Sequence, residues 1–369
     1  MHYLVRAKDR TLMTITLTRR RWLAAGLAVA LAPVAVSAPA FAAGAVPPQD
    51  IAALGAPDRT LEARLATLAR GLGGTKVGIA VVDIDAGRTA LVNADEMFAM
   101  QAVSTLPVAI AVLHLAEQDE ISLDRILTLT RADIVPGRSP LARRLGARPV
   151  RFTARQLIEH MLLNGDTTAT DALIRLAGGP AGIRKALARL DATEGLRIDR
   201  YESELQPAVF GLKPDRAFAD ATRFKAAIDA MDPQARRKAQ TRYLQDPRDT
   251  ASPRAIAALY ARLEQGRLLQ RRNAALVLDL LSRSRTGLDR LSAGMTRGWT
   301  LAHRGGQTPT TDGFTAVFND SGIASGRGAS RIAIVVFMEG ATLPVERLAA
   351  FQRTLARSVL DAWEPPSRA

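Results

Sequence analysis

Cysteine is absent from the 369 residues, so disulfides, thiol nucleophiles and cysteine-held metals are all excluded. Histidine is scarce. His2, His114, His160 and His303 are too scattered for the usual zinc spacings, and no metal is expected; His114 and His160 read as packing or helix-surface residues. Lysine occurs only at Lys8, Lys76, Lys185, Lys213, Lys225 and Lys238, and no serine is followed three positions later by a lysine. That spacing is the one that sets two side chains on the same face of a helix. A G-x-S-x-G elbow is missing as well. Aromatics are 5% of the chain, and no basic stretch interleaves with them as single-strand nucleic-acid binders require. Beyond the N-terminal leader there is no low-complexity segment, and there is no internal repeat.

Charge is what the chain has in excess: Lys and Arg total 50 against 36 Asp and Glu, a net +14. With so few lysines the excess is almost all arginine, partly in the leader, and it reads as compositional bias rather than as a nucleic-acid footprint. Hydrophobic residues at 47% and charged residues at 23% are those of a globular protein. The leader has Arg19, Arg20 and Arg21, an apolar run from Trp22 to about Val36, then Ala40-Phe41-Ala42. This is the order of a signal peptide, and Pro33 with the short run argues against a retained membrane span. The stretch from Thr18 to Leu23 resembles the twin-arginine export pattern, and a start at Met13 would leave the leader intact. Export to the periplasm or medium is expected, with 1–42 removed and 43–58 a flexible lead-in.

Helical periodicity over 59–71 places Leu61, Leu65, Leu68 and Leu72 on one face. A strand over Val77–Ile84, a turn at Asp85-Ala86-Gly87 and a strand near Thr89–Val92 follow. From about Val103 to Leu281 the pattern is mostly helical. Strands return at Trp299–His303, Phe314–Asn319 and Ile332–Met338, and an amphipathic helix over Val345–Trp363 closes the chain. The expected fold class is α/β (α+β): an antiparallel sheet built from both termini and flanked by helices, with an inserted all-helical lobe. The sheet lobe would comprise about 59–101 and 285–363, and the helical lobe about 102–284. A site is expected in the cleft between them.

Several colinear stretches carry a resemblance. They are Phe98-Ala99-Met100-Gln101 before an apolar helix, Asp133-Ile134-Val135 with Ser139-Pro140, and Thr153-Ala154-Arg155-Gln156-Leu157. Further along come the stretch from Asp199 to Gln206, Asp249-Thr250-Ala251-Ser252-Pro253, and Gly298-Trp299-Thr300-Leu301-Ala302-His303. In this order they resemble class A β-lactamases, the penicillin-hydrolysing serine enzymes, across 59–363. The resemblance implies a β-lactamase/transpeptidase-like fold and three motifs, S-x-x-K, S-D-N and K-T-G.

None of the three survives intact. At the nucleophile's tetrad stands Ala102-Val103-Ser104-Thr105, with no atom to attack a carbonyl and no lysine. Starting at Ser104 instead puts Pro107 where lysine is needed. The second motif reads Gly165-Asp166-Thr167 and the third Arg304-Gly305-Gly306, so the positions counted as lost are Ala102, Thr105, Gly165, Thr167, Gly305 and Gly306. One catalytic carboxylate remains, Glu202, which in the family activates the deacylating water. Gln206 replaces the asparagine that helps hold that water. Arg304 is expected to face the cleft and grip a ligand carboxylate, with backbone N–H groups of Ala102 and Gln307 as an oxyanion hole.

The resemblance implies that Arg200 and Asp249 pair across the neck of the Ω loop. Between them an insertion, about 207–248, carries a helical pattern at Ala217–Met231 and the basic cluster Arg236-Arg237-Lys238. It reads either as a surface excursion or as a lid or docking element. The function expected is a non-catalytic serine-hydrolase homologue that binds β-lactam or D-alanyl peptide-like ligands. The alternative is a weakly active β-lactamase or other amide or ester hydrolase of that family. Expected partners are a small molecule or a peptidoglycan fragment, with no cofactor, no nucleic acid, no stable membrane span after leader removal, and a monomeric state.

Overall fold

The computed structural model describes residues 54–326 and 330–363. The expected leader, 1–42, and the lead-in as far as residue 53 lie outside the described residues. The last residues of the lead-in belong to the fold, contrary to the flexible tether expected. Strand β1 (Ala56–Pro57) runs parallel to Arg88 and Thr89, and Asp58 caps helix α1 (Arg59–Arg70) by accepting from the Leu61 N–H at 3.0 Å. The second Asp58 oxygen accepts from Trp363 Nε1 at 2.8 Å, joining the first helix to the last. Those bonds override an alanine- and proline-rich composition.

Strands β2 (Lys76–Asp83) and β3 (Arg88–Val92) form a hairpin. Next come β4 (Phe98–Ala99), α2 (Thr105–Glu117), β5 (Ile126–Leu129) and β6 (Val150–Thr153). Helices α3 (Ala154–Asn164), α4 (Thr167–Leu176), α5 (Gly179–Ala188), α6 (Glu202–Ala208), α7 (Ala221–Asp229) and α8 (Pro233–Tyr243) follow. The short β7 (Thr250–Ala251), α9 (Pro253–Glu264) and α10 (Arg271–Ser282) lead to β8 (Thr300–Gln307), β9 (Thr310–Thr311), β10 (Phe314–Ser325), β11 (Arg331–Ala341) and α11 (Val345–Trp363). The lobe expected to be all-helical therefore holds the ribbon β5–β6 as well. Short apolar runs such as Ile126–Leu129 do not distinguish strand from helix by pattern.

The main sheet has the order β1-β3-β2-β11-β10-β8, with β9 beside β10, so both ends of the chain interleave in it. All its pairings are antiparallel except β1–β3. Alternation along the strands divides the core. Ile79, Val81, Ile334 and Val336 face Leu61, Leu65, Leu355 and Val359 of α1 and α11. Ala80, Val82, Ala333 and Val335 face the opposite layer, with Leu106 and Ile110 of α2 and Ile256 and Tyr260 of α9. Burial on both faces explains why β2 reads as an almost unbroken apolar run. Helix α2 is buried from Thr105 to Leu115, which makes it the central post of the helical lobe. Among the described residues no helix is long and apolar enough to cross a membrane.

The insertion is more ordered than a surface excursion. It holds α7 and an additional helix, α8, which carries the basic cluster. Ile228 and Tyr243 pack with Phe210 and with Phe314, Ala316 and Val317 of β10 in a third core. Arg236 forms two bonds to Asp312, at 2.7 and 2.9 Å, and Arg237 stacks 3.6 Å from the Phe314 ring centroid. Two of the three basic residues are thus spent on holding the insertion to the sheet.

Candidate functional site

A cavity of about 560 Å³ opens where the edge strand β8 meets the start of α2. Ala102, Thr105, Gly165, Thr167, Glu202, Gln206, Arg304, Gly305 and Gln307, spread over two hundred positions of sequence, all line it. Gly306 does not, nor do Asp166 of the second motif and the expected pair Arg200 and Asp249. A Cβ on Gly306 would lie 2.6 Å from the Met100 carbonyl and 3.0 Å from the Ala102 nitrogen, so glycine is what lets β8 pass this close to the chain before α2. Counting Gly306 among the lost groups is corrected here, because the third residue of K-T-G is itself glycine.

Ala102 lies in a 3-10 turn, Gln101–Ser104, directly before α2. Gln101 holds the left-handed φ of +49°, uncommon for a residue with a side chain, and its Nε2 donates to Tyr243 Oη at 2.7 Å. The insertion therefore fixes the residue beside the nucleophile position from behind, although none of residues 207–248 lines the cavity. One turn on, Thr105 Oγ1 donates to the Ala102 carbonyl at 2.8 Å. Its hydroxyl is occupied where the family has an amine.

Glu202 starts α6, with its backbone N–H held by Asp171 at 2.6 Å. Burial pushes its carboxyl up from 4.5 to about 7, and the nearby carboxylates of Asp171 and Asp249 push the same way. Gln206 opposes them by donating to Glu202 Oε2 at 2.7 Å. At the neck of the Ω loop Arg200 Nε donates to Asp249 Oδ2 at 2.5 Å, as the resemblance implies. Asp249 also accepts from the backbone N–H groups of Asp199 and Arg200.

The middle residue of the second motif is structural. Asp166 is fully buried, caps α4, and accepts from Ser139 Oγ and the Leu141 N–H. Thr167 turns its hydroxyl to the Val135 and Arg138 carbonyls. Gly165 ends α3 in the left-handed region, at φ +65°.

Arg304 departs most from expectation. It lines the cavity, yet it is fully buried and its guanidinium is turned onto the end of α3. Nη2 donates to the Met161 carbonyl at 3.0 Å and to that of Leu162, and Nη1 donates to Thr286 Oγ1 at 3.1 Å. Burial lowers its pKa to about 10, and it forms no salt bridge with a carboxylate among the described residues. Its charge reaches the cavity while Nη1 and Nη2 are engaged and Nε is buried without a partner, so a bidentate grip on a ligand is not its geometry. A Cβ on Gly165 would come within 3.2 Å of Arg304 Nη1. The arginine thus occupies the space of the missing serine side chain.

The sequence reading missed Arg290. It is buried against the cavity beside Gly305, donates to the Asn319 carbonyl at 2.7 Å and to Gln307 Oε1, and stacks 3.9 Å from the Phe318 ring centroid. A Cβ on Gly305 would lie 3.1 Å from Arg290 Nη1. Arg138 and Arg285 line the cavity too. In so arginine-rich a chain, no local signal sets these three apart from the rest.

A family model for the β-lactamase enzyme family matches residues 60–363. A β-lactamase of Streptomyces cellulosae is 30% identical over 299 residues, which are 79% of this chain and 80% of its own. Among solved structures, an ancestral class A β-lactamase superposes with a TM-score of 0.65 at 26% identity, covering 82% of this chain and all of its own. A β-lactamase from Chitinophaga pinensis superposes with a TM-score of 0.67 at 23% identity, over 82% of this chain and 99% of its own, a likeness of fold alone. The fold, the colinear motifs and the family match agree, and the chain belongs to the class A β-lactamase family.

Proposed function

We propose that this member of the family is exported and non-hydrolytic, and that its cleft binds a carboxylate-bearing ligand of the β-lactam or D-alanyl-peptide type. The observation that carries the reading is Ala102: the cavity stands open at the nucleophile position, and the residue there has no attacking atom. Proton handling is affected as well. Gly165 and Gly305 have no side chain to protonate a leaving nitrogen, and the hydroxyls of Thr105 and Thr167 donate to backbone carbonyls. Binding does not need those groups. Arg290 and Arg304 put two buried positive charges on the cavity wall, which favours an anionic ligand. The leader pattern supports export.

A second reading follows from Glu202, a buried carboxyl with a pKa near 7 and a side-chain amide beside it. It is suited to take a proton from water and could drive slow hydrolysis without an acyl-enzyme. Loss of a nucleophile in such enzymes removes several orders of magnitude of rate, so the binding reading is preferred. Nitrocefin turnover, covalent labelling by a fluorescent penicillin, and calorimetry with penicillins and stem peptides decide between the two. Saturable binding without turnover or adduct is expected. Fast turnover or a stable adduct would overturn the proposal, and so would the absence of any saturable binding.

A further inference from the structure

The C-terminal turn of α3 gathers more positive charge than a helix end needs. Carbonyls of four successive residues, 161 to 164, each receive a bond from an arginine. Arg304 takes Met161 and Leu162, the Arg285 backbone N–H takes Leu163 at 3.0 Å, and Arg138 Nε takes Asn164 at 2.7 Å. A helix C-terminus carries only about half a negative charge, and one cation suffices to balance it. Here two guanidinium groups, of Arg304 and Arg138, meet it, the backbone of Arg285 is bonded beside them, and Arg285 and Arg290 line the same cavity.

The only acid lining the cavity is Glu202. The side chains of Arg138 and Arg285 are exposed and form no salt bridge, and Arg285's side chain has no hydrogen-bond partner among the described residues. Deeper in, Nε of Arg290 and Nε of Arg304 are buried without a hydrogen-bond partner. Arg290 has only a long ion pair, 3.9 Å to Asp289, and Arg304 has none among the described residues, so an anion in the cavity would meet positive charge that the protein only partly balances.

Resting on the binding reading above, we infer that the ligand carries a second anionic group, and that Arg138 and Arg285 at the cleft rim form the subsite for it. The inner subsite, by Arg290 and Arg304, takes the first carboxylate. In the outer pair the Arg285 backbone is held on the Leu163 carbonyl and Arg138 Nε on that of Asn164, which leaves the Arg285 guanidinium and the Nη groups of Arg138 to take the other. The ligand class is therefore a dianionic acyl peptide of roughly dipeptide size.

Two probes of nearly equal shape test this. N-butyryl-D-alanyl-D-alanine and N-succinyl-D-alanyl-D-alanine differ by a methyl group against a carboxylate at the acyl end. Calorimetry on the mature protein at low ionic strength should show the succinyl peptide binding about tenfold more tightly. The gain should shrink with added salt, because the pair is exposed. In the double variant Arg138→Ala, Arg285→Ala the two peptides should bind alike, the succinyl peptide losing its roughly tenfold advantage over the butyryl one. Equal affinities in the unsubstituted protein would refute the outer subsite and leave the binding reading standing. A preference that survives in the double variant would refute the assignment to these arginines. Binding of neither peptide would overturn both proposals.

Discussion

Replacing Glu202 by glutamine retains the size of the side chain and an oxygen to accept from Gln206, while removing the ionisable group. The Glu202 carboxyl is held at about 7 in the folded protein against an ordinary 4.5. A group raised in this way is neutral in both states at low pH and costs nothing there. As the pH rises past 4.5 the unfolded chain ionises first, and folding loses stability until the folded group ionises near 7. The full difference, from 4.5 to about 7, corresponds to about 3 kcal/mol. Relaxation and water entry reduce it, so 2–3 kcal/mol is the expected effect. Glu202→Gln should therefore match the parent's stability at pH 4 and exceed it by about 2–3 kcal/mol at pH 8.5. Urea unfolding of both proteins at the two pH values, followed by circular dichroism, reads this directly. A stability difference that is the same at pH 4 and pH 8.5 would show that the carboxyl is solvated like any other. The pH argument for water activation would then fall with it.

Breaking the Ω-loop neck should be severe: Arg200→Ala leaves Asp249 buried without its guanidinium and should cost about 3–5 kcal/mol in chemical denaturation. Gly165→Ser alone should destabilise, because it places a side chain at φ +65° and within 3.2 Å of Arg304 Nη1. Adding Arg304→Lys should recover about 1 kcal/mol, a coupling that a double-mutant cycle measures. Ala102→Ser alone should leave nitrocefin turnover at background, since Thr105 supplies no amine and its hydroxyl already bonds the residue 102 carbonyl.

The central strands β2, β10 and β11 were readable because each is apolar over several residues and bounded by turns, and α11 was placed at its true limits; the two-residue β1 and β9 carry no such pattern. The end of the lead-in was misjudged because its order comes from Asp58 meeting Trp363 across 305 positions, which no local pattern contains. Helix α8 escaped for a related reason. Its apolar anchors Ala239 and Tyr243 are few, and it is held largely by Arg236 on Asp312 and Arg237 on Phe314. Within the site, the positions with altered residues were legible because they sit in motifs of fixed spacing. Arg290, Arg138 and Arg285 sit in no such motif, and their convergence exists only in three dimensions.

The side chains absent at Gly165 and Gly305 and the arginines beside them are related by geometry. A cleft that had merely lost side chains would be left with gaps at Gly165 and Gly305. Instead Arg304 Nη1 stands 3.2 Å from where a Gly165 Cβ would be, and Arg290 Nη1 stands 3.1 Å from that of Gly305. Each guanidinium is fixed by carbonyls, Met161 and Leu162 for one and Asn319 for the other. Restoring serine or threonine at either glycine would require the neighbouring guanidinium to give by a few tenths of an ångström, so each motif position is coupled to its arginine. The same packing places two buried positive charges on the wall of an open cavity, the feature on which the proposed binding of an anion rests.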